Sequence, residues 1–109
     1  MKTSLLQAFL PASATRVVVY LKPVNMRLGP AKLRELCIET MGIEPDARTA
    51  FLFTSKSRDS LLMYFEDESG DQTLLKELEK GAFLLPAPKT EGAEFVIMRP
   101  KVLSRLFRS

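Results

Sequence analysis

Three sets of residues have the chemical means to act. The first is acidic: Glu66, Asp67, Glu68 and Asp71 crowd the stretch "EDESGD" at 66–71. Several oxygens converging on one point would hold a hard divalent cation, and a metal-dependent nuclease would need such a point. The stretch lacks the D-x-[DN]-x-[DN]-G spacing of a calcium loop, and consecutive turn residues splay their side chains apart. A solvated turn is the favoured reading. The other carboxylates (Glu35, Glu39, Asp46, Asp59, Glu77, Glu79, Glu91, Glu94) show no spacing that selects an acid–base pair. No catalytic residue is therefore assigned, and no metal or cofactor is expected.

The second set is basic: Lys22, Arg27, Lys56, Arg58, Lys76, Lys80, Arg99, Lys101, Arg105 and Arg108. Arg27 precedes an expected helix start, whose free N–H groups and dipole attract anions, so Arg27 and the 28–31 backbone suit a phosphate. Against this stands the plain reading of solubility charges. The phenylalanines fall in apolar runs, which leaves no exposed aromatic ladder for stacking bases. No G-x-x-x-x-G-K-[ST] loop occurs.

The third set is a single thiol, Cys37. The chain has one cysteine and no histidine. An internal disulfide is impossible, and the Ser–His and Cys–His nucleophile pairs and histidine-bearing zinc sites are excluded. A reducing, cytoplasmic location fits one unpaired cysteine. The start, "MKTSLLQAFLPASA", has a short apolar run broken by Gln7, a poor signal sequence. An N-terminal extension over 1–14, packed on the domain or mobile, is expected instead. No segment approaches the ~20 apolar residues of a membrane span.

The scaffold that must position these groups is small. A chain of 109 residues, 46% hydrophobic and 27% charged, has the size and balance of one globular domain. Its net charge of +3 permits a phosphate-rich partner without requiring one. "RVVVYL" at 16–21 reads as a strand buried on both faces. Pro30 opens a helix to about Met41, with Leu33, Leu36, Cys37, Thr40 and Met41 on one buried stripe and Lys32, Arg34, Glu35 and Glu39 facing water. Gly42 closes it. "TAFLF" at 49–53 and "SLLMYF" at 60–65 form a hairpin around the polar turn "SKSRD". "FVIM" at 95–98 is another strand, and Pro100 begins a short C-terminal helix that turns Val102, Leu103, Leu106 and Phe107 inward.

"LLKELEKGAFLLP" at 74–86 is ambiguous. Its Leu, Glu and Lys favour a helix ending at Gly81, which Asp71 would cap. Alternatively 73–79 continues the sheet, pairing back onto 61–65 through a turn at 67–71.

The order of these pieces resembles the accessory proteins of the IS-sixty-six class of bacterial insertion sequences, the product of the second open reading frame, often called TnpB. The resemblance covers about Arg16 to Leu106. "PVNMRLG" is similar to the family's P-x-[DN]-M-R-x-G motif, here Pro23, Asn25, Met26, Arg27 and Gly29. "GIEP" at 42–45 and "FLFTSKSRDSL" match the segments that follow. "KELEKGAFLLP" resembles K-x-L-E-x-G-x-F-x-x-P, with Lys76, Leu78, Glu79, Gly81, Phe83 and Pro86. The chain looks like a diverged member: Tyr64 to Gly70 lacks the usual tryptophan, and Leu85 stands where an aromatic is common. Relatives carry aromatics in 72–79, which tilts the ambiguous stretch towards a hairpin across 61–79.

The expectation is a single α+β domain over 1–109, with the family-like region at 16–106. It should hold a mostly antiparallel sheet of four to five strands, one main helix over about 30–41 on one face, and a short C-terminal helix. The resemblance implies a non-catalytic accessory role in transposition, with element DNA or a transposase as partner and no membrane. Arg27, Lys56, Arg58, Lys76 and Lys80 are the expected contact residues, with Glu79 orienting one of them or facing a partner. The alternatives are a protein-interaction subunit with no nucleic-acid contact, exposing apolar surface near Phe83–Leu85 or Leu5–Leu10, and a metal-dependent nuclease.

Overall fold

A computed structural model describes residues 10–102 and the backbone of 107–108. Five strands form one sheet: β1 (Arg16–Tyr20), β2 (Thr49–Thr54), β3 (Ser60–Asp67), β4 (Gly70–Glu77) and β6 (Phe95–Met98). Their order is β4-β3-β2-β1-β6. β2, β3 and β4 are a meander in antiparallel register, β1 runs parallel to β2, and β6 returns antiparallel against β1. The class is α+β, and all but one of the strand pairings is antiparallel, as the sequence suggested. β5 (Ala82–Phe83) pairs with β7 (Phe107–Arg108) in a separate small ribbon.

The unbroken apolar runs of β1, β2 and β3 follow from burial on both faces, because alternate residues enter different cores. Val17, Val19, Ala50, Leu52, Leu61, Met63 and Phe65 face one way and are covered by Phe83, with Leu10, Ala14, Leu78, Leu85 and Met98 packed around them. Val18, Tyr20, Phe51, Phe53, Leu62 and Tyr64 face the other way, under the helix residues Leu33, Cys37 and Met41. Tilted ring pairs, Tyr20–Phe53 at 5.8 Å and Phe51–Tyr64 at 6.3 Å, fill the helix side.

The helix begins as α1 (Pro30–Glu35) and widens into a π-helical turn (Leu36–Thr40). The Met41 N–H reaches back five residues to the Leu36 carbonyl, at 3.2 Å. This wider winding corrects the expected stripe. Leu33, Cys37 and Met41, four apart, are buried, whereas Leu36 is half-buried and Thr40 is exposed. Gly42, at φ 71, adopts the left-handed conformation that ends the helix.

The ambiguous stretch is strand as far as Glu77, and residues 78–81 leave the sheet as a connection. β4 pairs with β3 from Asp67↔Gly70 to Ser60↔Glu77, around the Glu68-Ser69 turn. Tertiary pairing overrides the helix propensity of residues 74–77, because β4 is paired with β3 over its whole length and its inner backbone groups are met there. The C-terminal helix is shorter than expected. One 3-10 turn spans 100–102, residues 103–106 lie outside the described residues, and Phe107–Arg108 is strand, paired to β5. Of the N-terminal extension, residues 1–9 also lie outside; Leu10 and Ala14 pack on the core. Among the described residues, no helix is long and apolar enough to cross a membrane.

Candidate functional site

The parallel pairing of β1 with β2 has a geometric consequence. Both strands end at the same edge of the sheet, where β3 starts and β4 ends. The connections that follow β1 (22–29), join β2 to β3 (55–59) and follow β4 (78–81) therefore lie together. Backbone bonds tie them: Val24 N–H donates to the Thr54 carbonyl at 3.0 Å, Leu78 N–H to Asp59 at 2.8 Å and Phe83 N–H to Arg58 at 2.7 Å. Arg27, Lys56, Arg58 and Lys80 are on these connections and are exposed, and Lys76 is the penultimate residue of β4, half-buried.

Each connection has a local cause. Asn25 Oδ1 accepts the Arg27 N–H at 2.9 Å, and the Asn25 carbonyl accepts from Leu28 at 3.1 Å, so this asparagine shapes the turn that exposes Arg27. Met26 is folded back against the helix-side core. In 55–59, the Asp59 carboxylate accepts hydroxyl protons from Ser57 at 2.7 Å and Ser55 at 3.2 Å. The Ser57 hydroxyl, above all, holds the Asp59 carboxyl below the usual carboxylate range. Arg58 sits at φ 65, the only described non-glycine residue with positive φ. Gly81, at φ 83, turns the chain so that Phe83 plugs the sheet, 2% exposed.

The arrangement separates the motif residues by role. Asn25, Met26, Gly81 and Phe83 build the loops, and Pro23 and Gly29 lie exposed within or beside the first of them, Gly29 as the helix N-cap with an ordinary φ of −84. Pro86 lies beyond Phe83, half-buried. Lys76 is level with Leu61, on the face away from the helix, while Arg27 leads into the helix on the other face. The ion pairs among the described residues are Lys22–Glu94, Lys32–Glu35, Arg34–Glu44 and Arg34–Glu66, and none uses the five cations. Glu79 is exposed and joins none of these pairs. Lys22 is matched to Glu94 at 3.2 Å and adds little positive field.

The acidic stretch is spent on structure. Asp67 Oδ1 accepts the Ser69 N–H at 2.8 Å and hydroxyl at 2.6 Å, which holds its carboxyl low and fixes the β3–β4 turn. Glu66 turns to the helix side, where Arg34 Nη1 donates to both of its oxygens, and Arg34 Nη2 donates to Glu44 at 2.9 Å. The Tyr64 hydroxyl lies 3.3 Å from Glu66 and 3.2 Å from Asp71, and its single proton serves one at a time. Burial and then these two carboxylates push the Tyr64 hydroxyl well above its usual range. The sequence reading missed this network by turning Arg34 to water. The available signal was Tyr64 itself, a core tyrosine whose hydroxyl needs polar company.

A family model described as "IS66 Orf2 like protein" matches residues 15–109. A protein of Sinorhizobium fredii (strain NBRC 101917 / NGR234), called "Uncharacterized protein y4jC", is 32% identical over 96 residues, covering 88% of this chain and 80% of its own length. No solved structure matches.

Proposed function

The chain belongs to the IS66 Orf2-like family of insertion-sequence accessory proteins, and from that premise we propose that it acts in transposition by holding element DNA against the loop end of its sheet. The contacts are made by Arg27, Lys56, Arg58, Lys76 and Lys80. The observation that carries this reading is that three separate connections bring Arg27, Lys56, Arg58 and Lys80 to one edge of the sheet, next to Lys76 near the end of β4, with no carboxylate among the described residues paired to any of the five. Besides Glu94, which is paired with Lys22, three acids, Asp59, Glu77 and Glu79, share that edge, so the field is moderate and suits phosphate contacts more than steep long-range attraction. The role is binding, without catalysis, in the cytoplasm where the element's DNA is handled.

Phosphate contacts release counterions, so affinity must fall as salt rises, with a log–log slope of about −0.9 per contact. Titrating fluorescent duplex DNA at several salt concentrations tests this. Lys56→Ala and Lys80→Ala should each weaken binding evenly across sequences and reduce the slope by about 1. A salt-independent titration, or slopes that the variants do not change, would rule the reading out.

A further inference from the structure

We propose that the free edge of β6 is a docking groove for an extended segment of a partner protein in which acidic and apolar side chains alternate, added as a sixth strand of the sheet. This goes beyond DNA contact at the loop end and uses different residues. β6 is terminal in the sheet. The Leu21 N–H donates to the Glu94 carbonyl at 2.9 Å, in the register that pairs β1 with β6. Bonded and non-bonded pairs alternate in an antiparallel ladder, so Val96 and Met98 point their backbone groups at β1, while Phe95 and Ile97 point theirs outward. Those outward groups have no protein partner among the described residues. They offer the main-chain template that strand addition uses.

Beside this edge lies a groove of about 900 Å³, walled on its far side by 84–87. Leu84 and Ile97, two of the five large apolar residues that remain well exposed among the described residues, both line it at 40% exposure. Among the described residues its charged lining is of one sign, Arg16, Lys89 and Arg99, with no carboxylate. Arg16 donates to Thr49 Oγ1 at 3.1 Å, whereas Lys89 and Arg99 enter no ion pair among the described residues. A strand edge can be guarded by charge alone. Here, however, the cations flank an open apolar trough, and an approaching segment satisfies them only if it brings carboxylates. Charge complementarity thus selects an acidic, apolar peptide in extended form, with the backbone supplying affinity and the groove supplying sequence preference.

The test pans a phage-displayed library of random peptides against the full chain, and then titrates synthetic versions of the enriched peptides into the isotope-labelled protein. Enriched sequences should alternate Asp or Glu with apolar residues and should shift the Phe95 and Ile97 amide signals. Ile97→Asp, at an exposed position, should weaken them at least about tenfold, and Arg99→Glu should weaken acidic peptides while improving their lysine-substituted counterparts. Neither variant should change the salt slope for duplex DNA, so failure here is separable from failure of the loop-end reading. Four outcomes would overturn the groove: no enrichment, enrichment without acidic residues, peptide binding that ignores Ile97→Asp, or DNA in place of peptide shifting the β6 amides.

Discussion

Arg34 Nη1 grips both carboxylate oxygens of Glu66, at 2.8 and 2.6 Å, and so ties the helix to β3 over the Tyr64 hydroxyl. Both side chains are partly shielded, and the same guanidinium also serves Glu44. Removing the cation leaves Glu66 and Asp71 against one hydroxyl with nothing to offset them and Glu44 without its partner, whereas neutralising Glu66 removes one of the charges that crowd the hydroxyl. We expect Arg34→Met to lower the melting temperature more than Glu66→Gln, and the double variant to lose less than the two singles together, because the second change has no pair left to break. Denaturant unfolding of the four proteins measures this; additive losses would mean that the pair is decorative.

Thr54 closes β2 at the loop edge and is 1% exposed, and its hydroxyl is the one buried side-chain polar atom among the described residues without a hydrogen-bond partner. Its backbone carbonyl is engaged by Val24, so the hydroxyl contributes no turn chemistry. Burying an unsatisfied hydroxyl costs about 1–3 kcal/mol. Valine has the same branched shape and equal strand propensity, so Thr54→Val should raise stability by about 1 kcal/mol in denaturant unfolding. Destabilisation would show that the hydroxyl has a partner in solution, for instance an ordered water.

Cys37 lies under the sheet at 0% exposure, and burial pushes its thiol up to about 12, with the nearby Arg34 charge only partly opposing. A thiol raised in the folded state binds a proton that the unfolded chain releases near 8.5. Its stability contribution is therefore complete below about pH 8.5 and is lost as the pH climbs towards the folded value. Native protein should react with a disulfide reagent at a rate that tracks unfolding, and Cys37→Ala should flatten the decline in stability between about pH 8.5 and 10. Rapid native-state labelling would contradict the burial.

How much of this could be seen in the residues depends on the range of the interaction. The strands read at 16–21, 49–53, 60–65 and 95–98 and the helix start at Pro30 are written in contiguous apolar runs and breakers, and they appear as Arg16–Tyr20, Thr49–Thr54, Ser60–Asp67, Phe95–Met98 and a helix from Pro30. The stretch at 74–79 was undecidable locally, because a lone edge strand of Leu, Lys and Glu has helix propensity and only its partner β3 settles the matter. Its Leu74 and Leu75 stay exposed at 43% and 49%, so no alternating pattern announced it. The π-helical turn depends on a local change in hydrogen-bond spacing and has no composition signature. Of the candidate site, Asn25 was named only through the family motif, its turn role being visible in the structure alone, and the cations were legible. Their common edge was not, because it follows from the parallel β1–β2 pairing, a relation between segments more than 30 residues apart. The groove at β6 was equally hidden: Arg16, Lys89 and Arg99 are scattered in the chain and meet only around a strand edge.

Arg58 offers the sharpest separation of stability from function. It holds φ 65 in a turn pinned by Ser55 and Asp59, a conformation that costs a residue with a Cβ about 1 kcal/mol or more and costs glycine nothing. A turn selected only for folding would favour glycine there. An exposed arginine in that position suggests that the charge is worth the strain. Arg58→Gly should therefore leave stability unchanged or raise it by up to about 1 kcal/mol, since relief of strain is offset by the greater freedom of the unfolded chain. The same variant should weaken duplex DNA binding and reduce its salt slope by about 1. Thermal unfolding and salt-dependent titration on one preparation decide it. Weaker DNA binding alongside equal or greater stability supports a contact role for Arg58, whereas a gain in stability with unaltered binding would leave the arginine as an ordinary turn residue and remove it from the interface.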